Sequence, residues 1–174
     1  MAFLNIEIKA KAIDPSFVRK YLEQSGADFK GIDYQTDTYF NVQKGRLKLR
    51  EGNIETNLIF YERNNEPGPK SSRFTLVKTT DPAGLKNALS NALGIRMIVK
   101  KEREIYYIRN VKFHVDNVQG LGSFIEIEAG NLLADLSEVQ LQEQCEQYLK
   151  AFNIRQEDLI AESYSDMLMI TESN

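Results

Sequence analysis

The chain is short of several residue types that often carry a protein's chemistry. Its 174 residues include one cysteine, one histidine, four prolines and no tryptophan. A lone Cys145 can form neither an internal disulfide nor a cysteine metal cluster, which fits a reducing compartment. No apolar run approaches the ~18 residues of a membrane span. Excess positive charge is missing as well. A net charge of −3 argues against a general nucleic-acid binder, which is normally basic. The opening MAFLNIE has no basic stretch ahead of an apolar core, so no secretory signal is read there and a cytoplasmic location is expected. What is present is ordinary globular composition, 42% hydrophobic and 27% charged, in a length suited to one domain spanning 1–174.

Three segments carry helix grammar. DPSFVRKYLEQSG (14–26) has Asp14 as N-cap, Pro15 in the first turn and Gly26 as a stop, with Phe17, Val18, Tyr21 and Leu22 sharing a face. DPAGLKNALSNALG (81–94) repeats the pattern from Asp81 and Pro82 to Gly94. SEVQLQEQCEQYLKAF (137–152) opens with a capping box from Ser137 to Gln140. Cys145 falls on its apolar face with Leu141, Tyr148, Leu149 and Phe152, a core position rather than a nucleophile's. The tail RQEDLIAESYSDMLMI is expected to pack outside, with Tyr164 holding it in place.

Elsewhere the hydrophobic period is two. Alternation marks NIEIKAK, TDTYFNV, RLKLR, LIFYER, RFTLVK, KKEREIYYI, KFHVD and FIEIE, eight short strands separated by turn-like pieces. Strand, Asp-Pro helix and three strands are followed by the same series again. The sequence therefore predicts an α+β fold: two pseudo-duplicated β-α-β-β-β halves closed into an eight-stranded antiparallel β-barrel. Closure removes the exposed edges, and the helices, including those within about 137–170, pack outside.

The polar faces of these strands are uneven in sign. Glu7, Lys9 and Lys11 share one face of the first strand; Arg46, Lys48 and Arg50 share one of the third. Arg63 lies with Tyr61, Lys101 with Arg103, His114 with Asp116, and Glu126 with Glu128. A solvated face mixes signs and includes Thr, Ser and Gln, whereas like charges two residues apart repel. A bound polyanion would explain them: Arg and Lys grip phosphate oxygens, and a carboxylate pair holds a divalent cation. Helices outside the barrel need apolar outward faces, so the charged faces should point into a wet tunnel.

These strands, and above all KFHVDNVQGLGSFIEIE, resemble the CYTH superfamily, also called the triphosphate tunnel metalloenzymes. The branch they are most similar to is the class IV adenylyl cyclases (CyaB type), and the likeness runs over roughly residues 5–170. It implies a tunnel that binds a triphosphate with Mg²⁺ or Mn²⁺. Glu7, Glu126 and Glu128 would hold the metal, with Asp116 as a further candidate. Lys9, Lys11, Lys48, Arg50, Arg63, Lys101 and Arg103 would grip phosphates, and Glu7, Lys9, Glu126 and Glu128 would form the catalytic group. Asn5 departs from the pattern, standing where a glutamate is expected and removing one charged ligand.

The resemblance implies conversion of ATP to cyclic AMP and pyrophosphate. Two alternatives stay open: hydrolysis of inorganic, nucleoside or thiamine triphosphates, and a non-catalytic module that binds a nucleotide or polyphosphate. The expected partner is therefore a nucleoside triphosphate or inorganic polyphosphate, with no nucleic acid and no membrane. A homodimer through the outer helices is left open. His114 is read either as a base or as a hydrogen-bonded structural residue, and the loop around 64–72 either as a lid or as an ordinary connection.

Overall fold

The computed structural model describes residues 3–132 and 134–173. The first half runs β1 (Phe3–Lys11), α1 (Pro15–Gln24), β2 (Asp28–Phe40), β3 (Arg46–Glu51) and β4 (Asn57–Arg63). The second half repeats it: β5 (Lys70–Lys78), α2 (Pro82–Leu93), β6 (Ile95–Ile108), β7 (Val111–Val118) and β8 (Gly122–Gly130). Helices α3 (Glu138–Ala151) and α4 (Tyr164–Glu172) follow, with a single 3₁₀ turn between them at Gln156–Asp158.

All strand pairs are antiparallel and the sheet closes in the order β1-β5-β4-β3-β2-β6-β7-β8. Each half contributes a three-strand meander, and its first strand pairs with the last strand of the other half, β1 with β8 and β5 with β4. Equivalent strands meet at the two seams, β1 with β5 and β2 with β6. The expected duplicated barrel is the fold observed.

Local chemistry explains the elements. Asp14 accepts a hydrogen bond from the Phe17 amide at 3.1 Å and Asp81 one from Gly84 at 2.9 Å, each with proline in the first turn. Ser137 and Gln140 form the expected capping box, and Ser163 with Asp166 forms another at the start of α4. In the turn joining β7 to β8, Gly120 has a φ of 81°, a left-handed conformation that costs glycine little.

The main core lies outside the barrel. Ile6, Ile8 and Ala10 of β1, Phe113 of β7 and Ile127 of β8 pack against Val18 and Leu22 of α1 and Leu141 and Cys145 of α3. Phe113 also meets Tyr148 and Phe152 edge-on, with ring centres 4.7 and 5.7 Å apart. Each large aliphatic or aromatic side chain buried there contributes roughly 1.5–3 kcal/mol. A second cluster of Tyr39, Tyr61, Val118, Phe124 and Tyr164 closes one end of the barrel beneath α4. Helix α2 is different, lying along β2 and β3 without a buried residue. No helix of the described residues is long and apolar enough to cross a membrane.

Candidate functional site

Alternation along the strands turns one set of side chains inward, where they line a cavity of about 250 Å³. Two walls carry the charge. On the first, Asp37 of β2 is 1% exposed and binds three cations. Arg50 chelates it with contacts of 2.8 and 2.9 Å, Lys101 reaches it at 2.8 Å and Lys48 at 3.0 Å. One carboxylate cannot neutralise three cations, so this wall keeps positive charge for an incoming anion. Burial pushes Asp37 up, but Arg50, Lys101 and Lys48 outweigh it and hold the carboxyl well below its usual range. Burial also brings Lys101 down to about 7; Asp37 opposes the shift, while Arg50, Arg103 and Lys48 reinforce it.

On the second wall, Arg103 of β6 binds Asp116 of β7 at 2.7 and 2.5 Å and Glu126 of β8 at 2.7 Å. Glu126 also lies 3.4 Å from the Lys9 ammonium and 3.1 Å from His114 Nδ1. Burial raises Glu126, yet Arg103, Lys9 and His114 hold it well below the carboxylate range. Burial and then Arg103 lower His114, which favours the neutral imidazole. Glu128 stands 3.8 Å from His114 and, among the described residues, has no lysine or arginine within ion-pair distance.

His114, Glu126 and Glu128 place one nitrogen and two carboxylate oxygens within 4.8 Å of one another. This donor set fits a divalent cation, with oxygen ligands for a hard ion and an imidazole suited to transition metals.

The tail completes the enclosure. Lys9 Nζ donates to the carbonyl of Glu162 at 3.2 Å, and Lys70 Nζ to that of Ile160 at 3.0 Å. Burial, then the charge of Arg63, lowers Lys70 to about 8. The Tyr164 hydroxyl donates to Asp116 at 2.7 Å, while its ring lies 3.9 Å from Lys9 Nζ. Tyr164 thus anchors the tail, as expected, and is part of the cavity wall too.

Most residues singled out in the sequence meet in this space. Glu7, Lys9, Lys48, Arg50, Arg63, Lys101, Arg103, Glu126 and Glu128 all line it. Lys11 does not: it is exposed near the barrel rim. Asp116 lies behind the wall, its oxygens engaged by Arg103 and Tyr164, so it orients Arg103 rather than facing the cavity. Glu7 is ion-paired with Arg63 and stands apart from the histidine-glutamate trio. Arg46 leaves the cavity to bind Asp166 of α4 at 2.8 Å. Asn5 lines the wall opposite Gly130, where an added Cβ would come within 2.4 Å of its Oδ1.

The expectation of apolar side chains pointing only outward fails on β4 and β5. There Ile59, Phe74 and Leu76 face the cavity. Four charged or polar participants also escape the sequence reading: Asp37, Glu55, Lys112 and Tyr39. Asp37 and Tyr39 alternate in TDTYFNV, and Lys112 alternates with His114 and Asp116, so a face count of those strands would have found them. Glu55, which pairs with Lys112 and Arg50, sits in the loop between β3 and β4 where no periodicity marks it.

This geometry has counterparts among known proteins. A candidate adenylate cyclase of Methanocaldococcus jannaschii is 28% identical over 182 residues, covering 94% of this chain and 98% of that protein. The structure of a Pyrococcus horikoshii protein superposes with a TM-score of 0.80 at 22% identity, over 93% of this chain and 98% of the other. A candidate adenylyl cyclase from Hippeastrum, described as having a dominant triphosphatase activity, gives a TM-score of 0.59 at 13% identity over 99% and 96% of the two chains. The CYTH domain profile matches residues 4–164. With its closed barrel and charged interior, the chain belongs to the CYTH domain family.

Proposed function

We propose that this protein is a divalent-metal-dependent enzyme that converts ATP to cyclic AMP and pyrophosphate inside the barrel. The observation that carries the reading is the cavity's division: an arginine-lysine wall around Asp37 lies across from the His114-Glu126-Glu128 trio. The 28% identical relative named as a candidate adenylate cyclase favours cyclisation. Triphosphate hydrolysis is the second reading, favoured by the triphosphatase activity described for the Hippeastrum neighbour.

In cyclisation the ribose 3′ oxygen attacks the α-phosphorus, and the bond to the β-phosphate's bridging oxygen breaks, releasing pyrophosphate. Lys48, Arg50 and Lys101 neutralise charge on the phosphate chain, while Arg63 and Lys9 hold it from the β1 and β4 side. Their ammonium and guanidinium groups already sit at fixed carboxylates, so little reorganisation is needed when phosphate oxygens arrive. Glu128, unclaimed by lysine or arginine, is placed to accept the proton of the attacking hydroxyl. A divalent cation held by His114, Glu126 and Glu128 supplies charge neutralisation and orientation of phosphate oxygens when bound.

Incubation of the pure protein with ATP or tripolyphosphate and Mg²⁺ or Mn²⁺, with the products resolved by ³¹P NMR, tests this. Cyclic AMP with pyrophosphate is the expected outcome. Orthophosphate would replace it with the second reading, and binding without turnover would remove the enzyme reading altogether.

A further inference from the structure

The charge clusters occupy only part of the cavity wall. The inward face of β4 and β5 is largely apolar, with Ile59 in register with Leu76 and Tyr61 with Phe74. Tyr61 lies at the closed end, whereas Leu76 is 39% exposed at the open side. Apolar surface facing a wet cavity is unfavourable by about 25 cal/mol per Å² relative to being covered.

Asn57 sits at the margin of this strip. It is on the same face of β4 as Ile59 and pairs with Lys78, two residues beyond Leu76 on β5. Its side chain lines the cavity and is buried, 8% exposed, yet its amide makes no hydrogen bond to the described residues. An unpaired buried amide costs about 1–3 kcal/mol, so the strip lacks a covering surface and its margin lacks a hydrogen-bonding edge. Inorganic phosphate offers neither. A heteroaromatic ring offers both, with an apolar face and a polar rim. The strip also adjoins the phosphate wall, because Ile59 is in register with Lys48 on β3 and Asn57 with Arg50.

We propose that Asn57, Ile59, Phe74 and Leu76 form the seat for the base of a nucleoside triphosphate, with Asn57 reading adenine. The proposal rests on the triphosphate reading above and adds the residues that choose among triphosphates. The Asn57 carbonyl accepts from the adenine amino group while its NH₂ donates to the neighbouring ring nitrogen, the complementarity by which Asn reads adenine elsewhere. Guanine presents an acceptor where adenine presents that amino group, and a carboxylate suits guanine's N–H donors instead. The apolar strip provides the platform, and the lysines and arginines fix the triphosphate.

The test is calorimetric titration of the full-length protein with ATP, GTP and inorganic tripolyphosphate, without divalent cation so that no turnover intrudes. ATP should bind at least about tenfold tighter than GTP, the worth of one good hydrogen-bonded pairing. Asn57→Asp should level or reverse that preference. Leu76→Ala, at a half-exposed position that tolerates truncation, should weaken ATP by about fivefold or more, as for lost apolar cover. Both variants should keep the wild-type affinity for tripolyphosphate, which shows that they are folded. Equal affinity for all three ligands, or ratios unchanged in both variants, would overturn the base seat and leave the triphosphate reading standing. Failure of every ligand to bind the wild type would overturn both.

Discussion

Asp37 shows how this interior stays folded before any ligand arrives. Its two oxygens hold Arg50, Lys48 and Lys101, so the basic wall is partly neutralised from within. Replacing it with asparagine leaves three cations facing one another, and breaking a buried pair of this kind costs about 3–5 kcal/mol. Asp37→Asn should lower unfolding stability by that amount in urea, and tripolyphosphate should restore more of it than it adds to the wild type. Equal stabilisation of both proteins would show that the cations are not held in reserve for an anion.

The lysines give a pH signature. Lys101 at about 7 and Lys70 at about 8 lie below the ordinary 10.5 because burial disfavours their charged forms. A bound polyanion favours the ammonium forms, so binding should take up protons and affinity should fall as pH rises from about 7 to 9. Titrations in two buffers of different ionisation enthalpy measure that uptake; none at pH 8 would contradict it. For folding the sign is opposite to the carboxylates'. The unfolded chain holds more lysine protons between their folded values and 10.5, so these groups' contribution to stability grows with pH through that window. Asp37 and Glu126, whose folded values are depressed, contribute stability above their unfolded values that is lost on acidification.

Among the elements, α3 is bound to the barrel through Leu141, Cys145 and Phe152. Burial raises the Cys145 thiol to about 12, consistent with a packing role. Leu141→Ala should cost about 2–5 kcal/mol in a denaturant titration, the range for a fully buried leucine. A loss below 0.5 kcal/mol would mean that α3 is not integral to the fold. Much of this level is legible in the sequence, because Asp-Pro starts, a capping box and period-two strands are local signals. The facing of β4 and β5 is not. Leu58 and Phe60 alternate with Ile59 and Tyr61, so both faces are apolar and the pattern cannot choose the inward one. Helix α4 is also obscured: its Ser163–Asp166 box is clear only once the short segment has tertiary support.

At the scale of the whole molecule, closing the barrel converts scattered alternation into one site. Lys48, Arg103 and Glu126 are distant in sequence but meet because β3, β6 and β8 turn the same parity inward. The residues found from sequence are those on strands whose polar face is plainly charged. Those missed depend on three-dimensional closure, as with Glu55, or sit on a strand whose polar face went uncounted, as with Asp37. Lys11 fails for a related reason: its parity matches Lys9, but the strand has reached the rim by that point.

The central claim is that one wall of the barrel binds phosphate and the facing wall binds metal. Separate calorimetric titrations with Mn²⁺ and with tripolyphosphate, on the wild type, Lys48→Ala and Glu128→Gln, test it most directly. Lys48→Ala should weaken tripolyphosphate by about tenfold, the scale of one charge-assisted contact, and leave Mn²⁺ unchanged. Glu128→Gln should do the reverse. Parallel loss of both ligands in either variant, or no loss in both, would contradict the two-walled site.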